Sequence, residues 1–192
     1  MPNSKKKGNR GERMAGKVLQ DWTTYPFQRV PQSGGLRWQK AAAVTSDLVC
    51  DKEGVIFPFA VEVKNYDNIN FFHTMYLENP DLIKFWEQAK SDAERAGKLP
   101  MLMFRFNGIR KDLFFFVFDY MAYSILEGRN SFSRLGCKWV VSNFGGGMYL
   151  TTSDQLRKIP YEEVEEHLIR VASHKKIPAR RTIKIKKRHA KN

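Results

Sequence analysis

Cysteine is scarce in this 192-residue sequence: Cys50 and Cys137 stand alone, without the close spacing of metal ligands. That excludes a disulfide-stapled scaffold and a zinc finger, and it fits a reducing compartment in which both are plain core residues. Long hydrophobic runs are missing too, since no stretch approaches the roughly 18 apolar residues a membrane span needs. The opening MPNSKKKGNRGERM has charge but neither the apolar segment nor the cleavage site of a secretory signal. A cytoplasmic protein is the expectation. Acidic residues are absent from residues 175–192 altogether.

What is there, in their place, is basic charge at the two ends. The chain carries a net charge of +13. Residues 1–17 hold six Lys or Arg against one Glu, residues 175–192 hold nine against none, and the stretch between sums to −1. Basic ends on a neutral body point to a polyanionic partner. Lys5, Lys6 and Lys7 at one end, and Arg180, Arg181, Lys184, Lys186 and Lys187 at the other, are candidate nucleic-acid contacts. The tail alternates basic and apolar residues in TIKIKK, a pattern suited to gaining order on DNA.

Between the ends the periodicity alternates between helix and strand. GNRGERMAGKVLQDW, from Gly8 to about Trp22, sets Met14, Ala15, Val18, Leu19 and Trp22 on one helical stripe. FQRV (27–30) is a short strand, followed by a loop at Pro31, Gly34 and Gly35. TSDLVC (45–50), the turn DKEG (51–54) and VIFPFAVEVK (55–64) predict an antiparallel hairpin, with Pro58 at a bulge or an edge. Residues 65–79 lack a period and read as an ordered loop. A helix follows from about Pro80 to Ala96, with proline in its first turn and Gly97 after its end. MLMFRF (101–106) and LFFFVF (113–118) are two further strands. Beyond them lie a helix near 120–126, short strands at KWVV and MYLT, and a polar helix over about 161–173. The order predicts an α/β (α+β) chain with a mixed central sheet flanked by helices. The glycines 145–147 lack the Lys-Ser/Thr of a phosphate loop and read as a turn.

Glu62 and Lys64 are the anomaly in this pattern. Side chains alternate along a strand, so these two share one face of FAVEVKNY while Val61 and Val63 take the other. The tripeptide alone is near its chance frequency, and a surface ion pair would explain it. Asp47 changes the weighing. The hairpin brings it alongside Glu62, so that Asp47, Glu62 and the Val63 carbonyl offer three oxygen positions to a Mg²⁺ that keeps its remaining sites for water and a phosphate oxygen. Such a metal activates water toward a phosphodiester, and Lys64 stands where an ammonium can offset developing charge. Glu12 on the first helix is a further candidate ligand or base.

These residues resemble a family. G-E-x-x-A at Gly11–Ala15, R-V-P-x-S-G-G at Arg29–Gly35, S-D-L-V at Ser46–Val49 and V-E-V-K at Val61–Lys64 follow the order of PD-(D/E)xK nucleases. Among these the sequence looks most like Holliday-junction resolvases of archaeal and phage type, over about residues 8–118. The resemblance implies a restriction-endonuclease-like sheet, Glu12, Asp47 and Glu62 as acidic metal-site residues with the Val63 carbonyl, and Lys64 as the catalytic lysine. It implies Mg²⁺, with Mn²⁺ able to substitute, and Arg13, Arg29 and Ser33 as residues that hold the DNA backbone or complete the site. It further implies a homodimer cutting branched DNA, a four-way junction, at paired positions. The stretch between Ser33 and Asp47 is longer than in the compact archaeal resolvases. The domain layout expected is a basic arm (1–7), a nuclease core (8–118), an extension packed on it (119–174) and a flexible basic tail (175–192). The rival readings are a restriction-like or repair nuclease on other DNA structures, and an inactive DNA-binding protein with the same fold. Arg105, alternating with Met103 among strand residues, is a candidate DNA contact or a snorkelling side chain. Gln88, on the helix after the motif lysine, stands where the resemblance puts a glutamine near the site in some relatives, but it reads more readily as a solvent-facing side chain; His73 reads as structural, and Phe71 and Phe72 as buried aromatics rather than wedges for a branch point.

Overall fold

The computed structural model describes residues 4–30, 46–66, 80–128, 140–141 and 147–174. Its elements in chain order are α1 (Ser4–Thr23), β1 (Phe27–Arg29), β2 (Leu48–Cys50), β3 (Phe59–Tyr66), α2 (Pro80–Ala96), β4 (Leu99–Phe106) and β5 (Phe115–Phe118). They continue as α3 (Tyr120–Glu127), β6 (Val140–Val141), β7 (Met148–Thr152), α4 (Ser153–Leu156) and α5 (Tyr161–His174). The strands form a seven-stranded sheet in the order β1-β2-β3-β4-β5-β7-β6. β3 and β4 run parallel, joined through α2, and the remaining neighbours are antiparallel. The mixed sheet expected from the sequence is therefore present.

Two apolar layers cover its faces. Ala15, Val18, Leu19 and Trp22 of α1 pack with Val61, Val63, Met101, Met103, Phe116 and Phe118 on one side, joined by Tyr161, Val164 and Leu168 of α5. Trp86 and Ala89 of α2 pack with Leu102, Phe104, Phe115 and Val117 on the other. At about 1.5–3 kcal/mol for each large side chain fully buried, these layers fix the orientation of β3 and β4 at the centre of the sheet. The α5 layer is keyed by polar detail: the Trp22 indole N–H donates to the Ile159 carbonyl at 3.0 Å, and the Trp22 and Tyr161 rings meet edge-on at 4.9 Å. Strands and helices after residue 118 thus extend the same sheet and the same apolar layer.

Several boundaries differ from the sequence reading. α1 begins at Ser4 rather than Gly8, so Lys5, Lys6 and Lys7 fall within its first turns instead of forming a separate arm. Residues 4–10 have enough helix formers to propagate a helix that Ala15–Trp22 anchors to the sheet. β3 starts at Phe59 because Pro58, lacking an N–H, cannot continue a ladder, although its carbonyl accepts the Leu99 amide at 2.9 Å. The hairpin connection is accordingly longer than the four residues expected, and it turns at Gly54, where φ is 74°. Asn65 and Tyr66, read as loop, remain in β3 because the parallel register carries on opposite Arg105 and Phe106. α2 matches its expected span, with Gly97 at φ 60° after it. α4 had no sequence signal of its own beyond Thr152, whose hydroxyl accepts the Gln155 amide at 3.4 Å. Cys50 is half-buried against the core, while Cys137 lies outside the described residues.

Candidate active site

The site forms where β2 leaves β3. Leu48 is the one residue of β2 in register with β3, opposite Val61. Past that point β3 amides have lost their strand partner, and side-chain oxygens take over. The Ser46 hydroxyl accepts the Val61 amide at 2.8 Å, and Asp47 Oδ2 accepts the Val63 amide at 2.7 Å. Main-chain bonds pin Asp47 on both sides: its amide donates to the Val61 carbonyl at 2.8 Å and its carbonyl accepts from Val30 at 3.0 Å. Buried amides have to be satisfied, and Ser-Asp satisfies these by drawing a carboxylate against the strand that carries Glu62.

The register decides which way the rest points. Val61 and Val63 stand opposite Met101 and Met103, in the layer under α1, whereas Glu62 and Lys64 stand opposite Leu102 and Phe104, in the layer under α2. Glu62 is 5% exposed. Its Oε1 accepts from Lys64 Nζ and, at 2.8 Å, from the Gln88 amide of α2. The Gln88 carbonyl oxygen also meets Lys64 Nζ at 3.4 Å, and that ammonium sits 4.9 Å from the centre of the Phe85 ring. Burial first, then the negative charge of Asp47, pushes the Glu62 carboxyl up to about 7, against the opposing pull of Lys64. Asp92, one helical turn beyond Gln88 and itself buried, pushes in the same direction.

A divalent cation fits this pair on physical grounds. Two carboxylates close enough that one raises the proton affinity of the other are relieved by a shared positive charge, and Mg²⁺ is held by one or two carboxylates with water and phosphate completing its shell. Asp47 and Glu62 are those carboxylates, and the bond from the Val63 amide places Asp47 at the residue whose carbonyl was the third expected ligand. Among the described residues no three His, Cys, Asp or Glu side chains gather as a metal cluster. The set that fits is two carboxylates, without Glu12.

Glu12 lies instead on the α1 side. It is 6% exposed and paired with Arg29, whose other nitrogen donates to the Asn9 side chain at 2.7 Å. Gly11 beside it lets α1 approach β3, since a Cβ there would stand 2.9 Å from the Asn65 Cβ. Arg13 is exposed on α1. Arg105 is buried on the same side of the sheet, over the Phe114 ring at 5.9 Å. Ser33, Phe71, Phe72, His73, Arg180, Arg181, Lys184, Lys186 and Lys187 lie outside the described residues, as do the side chains of Lys5, Lys6 and Lys7. Two participants escaped the sequence reading. Gln88, exposed on α2 as expected, nonetheless reaches Glu62 and Lys64; its place between the buried Trp86 and Ala89 was the available signal. Ser46 was quoted only as part of a motif, and its role follows from where the ladder ends.

The comparisons with known proteins bear on this geometry. Protein D14 of Escherichia phage T5 is 28% identical over 105 residues, covering 54% of this chain and 64% of that relative. The chain therefore spans less than two thirds of the relative it matches. No solved structure matches. A family model described as "Phage putative PDDEXK endonuclease" matches residues 3–166, which takes in α1, the Asp47, Glu62 and Lys64 site, and the first turns of α5. The chain belongs to this phage PDDEXK endonuclease family.

Proposed function

We propose that this protein is a Mg²⁺-dependent DNA endonuclease that hydrolyses phosphodiester bonds at four-way junctions, acting as a homodimer with paired cuts. One observation carries the hydrolytic part. Asp47, Glu62 and Lys64 converge at the end of β2 and β3, with the carboxylates in mutual repulsion and the lysine held on Glu62. Asp47, Glu62 and the Val63 carbonyl would hold the cation, which supplies a Lewis acid beside the phosphodiester and for which Mn²⁺ can substitute.

The chain's own groups define the remaining chemistry. Lys64 presents an ammonium beside the carboxylates, where it balances negative charge that builds on the phosphoryl oxygens during attack. Gln88 holds both Glu62 and Lys64, so the lysine is oriented by two acceptors on different elements rather than by one flexible contact. The β3 backbone is clamped between two apolar layers, which fixes these groups without their having to be ordered at each turnover. The resemblance to PD-(D/E)xK nucleases implies that hydrolysis leaves a 5′-phosphate. The junction preference and the dimer rest on the resemblance to resolvases and on the basic ends of the chain.

Incubation of a synthetic four-way junction and its matching linear duplex with the protein and Mg²⁺ tests the reading. Paired incisions in the junction, little cutting of the duplex, and loss of cutting by Asp47→Asn are expected. Equal cutting of both would replace the junction by a restriction-like or repair substrate. Salt-sensitive binding without any metal-dependent cut would leave only a DNA-binding protein with a nuclease fold.

A further inference from the structure

On the side of the sheet opposite Lys64, β4 buries a second cation that the catalytic arrangement does not use. Arg105 follows Met101 and Met103 on the face under α1 and is 7% exposed. Its guanidinium is poorly matched. Nε is buried without a hydrogen-bond partner, one Nη makes a long 3.4 Å contact to the Ile109 carbonyl, and the Phe114 ring lies 5.9 Å beneath. Among the described residues no carboxylate pairs with it. The charge that does lie near is of the same sign: burial first, then Arg10, exposed on α1, lowers the Arg105 pKa.

The two arginines are brought together by the close approach of α1. Asn65 and Arg105 are register partners, and Gly11 sits against Asn65, so the helix turn bearing Arg10 lies over the end of β3 and β4. The nearest acid along α1, Glu12, is already paired with Arg29. Like charges near enough to act on one another, one of them desolvated, raise the energy of the free protein unless an anion joins them. Guanidinium groups match phosphate oxygens through paired N–H donors better than any other side chain.

We propose that Arg10 and Arg105 form a phosphate subsite that grips one phosphodiester of the DNA backbone, across the sheet end from the group being cut. This deepens the endonuclease reading and rests on it for the identity of the ligand. A strand whose scissile phosphate lies on the Glu62 and Lys64 side would be held on both faces of the β3–β4 end, which fixes its path past the site.

The test measures binding of the full chain to a labelled junction and a labelled duplex in chelator, so no cutting is needed. Arg105→Met and Arg10→Met are each expected to weaken binding about 5- to 30-fold and to reduce the slope of log Kd against log salt by about one. The double variant should weaken binding by less than the product of the two, since they share a phosphate. Melting temperature separates this from a packing role: Arg105→Met removes an unmatched buried charge of similar volume, so its Tm should stay level or rise. A fall in Tm with unchanged affinity and salt slope would overturn the subsite. Protection of the wild-type Tm by millimolar inorganic phosphate, with DNA slopes unaltered by either variant, would also overturn it, in favour of a free-anion site. If DNA is bound through both arginines yet no metal-dependent cut occurs, the subsite stands and the endonuclease reading falls.

Discussion

Glu62 and Glu12 are buried to the same degree, 5% and 6% exposed, and each is paired with a cation, yet they occupy opposite kinds of setting. Glu62 has a half-exposed lysine and a neutral amide as partners, with Asp47 and Asp92 adding negative charge nearby. Glu12 is answered by an arginine that is itself tied to Asn9. Burial alone therefore does not make a carboxylate reactive. The surplus of negative charge around Glu62 leaves room for another cation, whereas the Glu12 pair ties α1 to β1 and reads as a fastening of the fold. Substitutions on the two sides separate the roles.

The largest effect is expected at Glu62 and Lys64. Glu62→Gln and Lys64→Met should each lower the metal-dependent cleavage rate by about three orders of magnitude or more, through loss of charge-stabilising groups at the reacting phosphate. For Glu62→Gln the melting temperature should change little or rise, because the amide removes a buried charge that repels Asp47. Single-turnover cleavage assays beside thermal melts check both halves. The opposite pattern is expected from Arg29→Met. Leaving Glu12 buried without its partner should destabilise the fold by about 3 kcal/mol, as breaking a largely buried ion pair does, while cleavage by the fraction still folded drops far less. If Arg29→Met abolishes cleavage in a protein of unchanged Tm, the distinction between the two glutamates fails, and Glu12 joins the reacting groups.

The raised carboxyl of Glu62 makes a further difference that pH can read. Its ordinary value is 4.5 and the folded value is about 7, so between these limits the native state binds more protons than the unfolded chain. Stability of the metal-free protein should then be greatest below pH 4.5 on this group's account and decline as pH rises through 7. The full shift corresponds to on the order of 3 kcal/mol, an upper bound because the groups around Glu62 interact strongly with it. Glu62→Gln should flatten that part of the profile, with denaturant melts at pH 5, 6, 7 and 8 as the measurement. Divalent cations compete with the same proton, so added Mg²⁺ should remove the decline in the wild type only.

Alternation made one half of this site legible and hid the other. The period of two in FAVEVKNY put Glu62 and Lys64 on one face and the valines on the other, and the antiparallel pairing of β2 with β3 brought Asp47 alongside. The amphipathic stripes of α1 and α2, with Pro80 and Gly97 as punctuation, located the helices that cover the two faces. What local pattern does not encode is which residues meet after the sheet is assembled. Strand ends depended on pairing across β3 and β4, so Asn65 and Tyr66 joined the strand against their composition. The Glu12–Arg29 pair depended on where α1 sits over β1. Gln88 depended on the rotation of α2 about its axis, which Trp86 and Ala89 set by packing on Leu102 and Phe104.

Gln88 also gives the finest test of the comparison, because it is the feature of the Glu62 side that the Glu12 side lacks in kind: an uncharged donor and acceptor reaching the pair from another element. Its amide donates to Glu62 and its carbonyl oxygen faces Lys64, so removal leaves the charges in place and loosens their geometry. Gln88→Ala should therefore reduce cleavage about tenfold, in the range of one lost neutral hydrogen bond to a charged group, with little change in Tm at an exposed helical position that alanine suits. Gln88→Glu keeps the reach but adds a third negative charge beside Asp47 and Glu62. It should raise the Glu62 carboxyl further and shift the acidic limb of the rate profile to higher pH, an outcome a merely solvent-facing glutamine could not produce. Identical pH–rate profiles for wild type, Gln88→Ala and Gln88→Glu would reduce the glutamine to a bystander and leave Lys64 positioned by Glu62 alone.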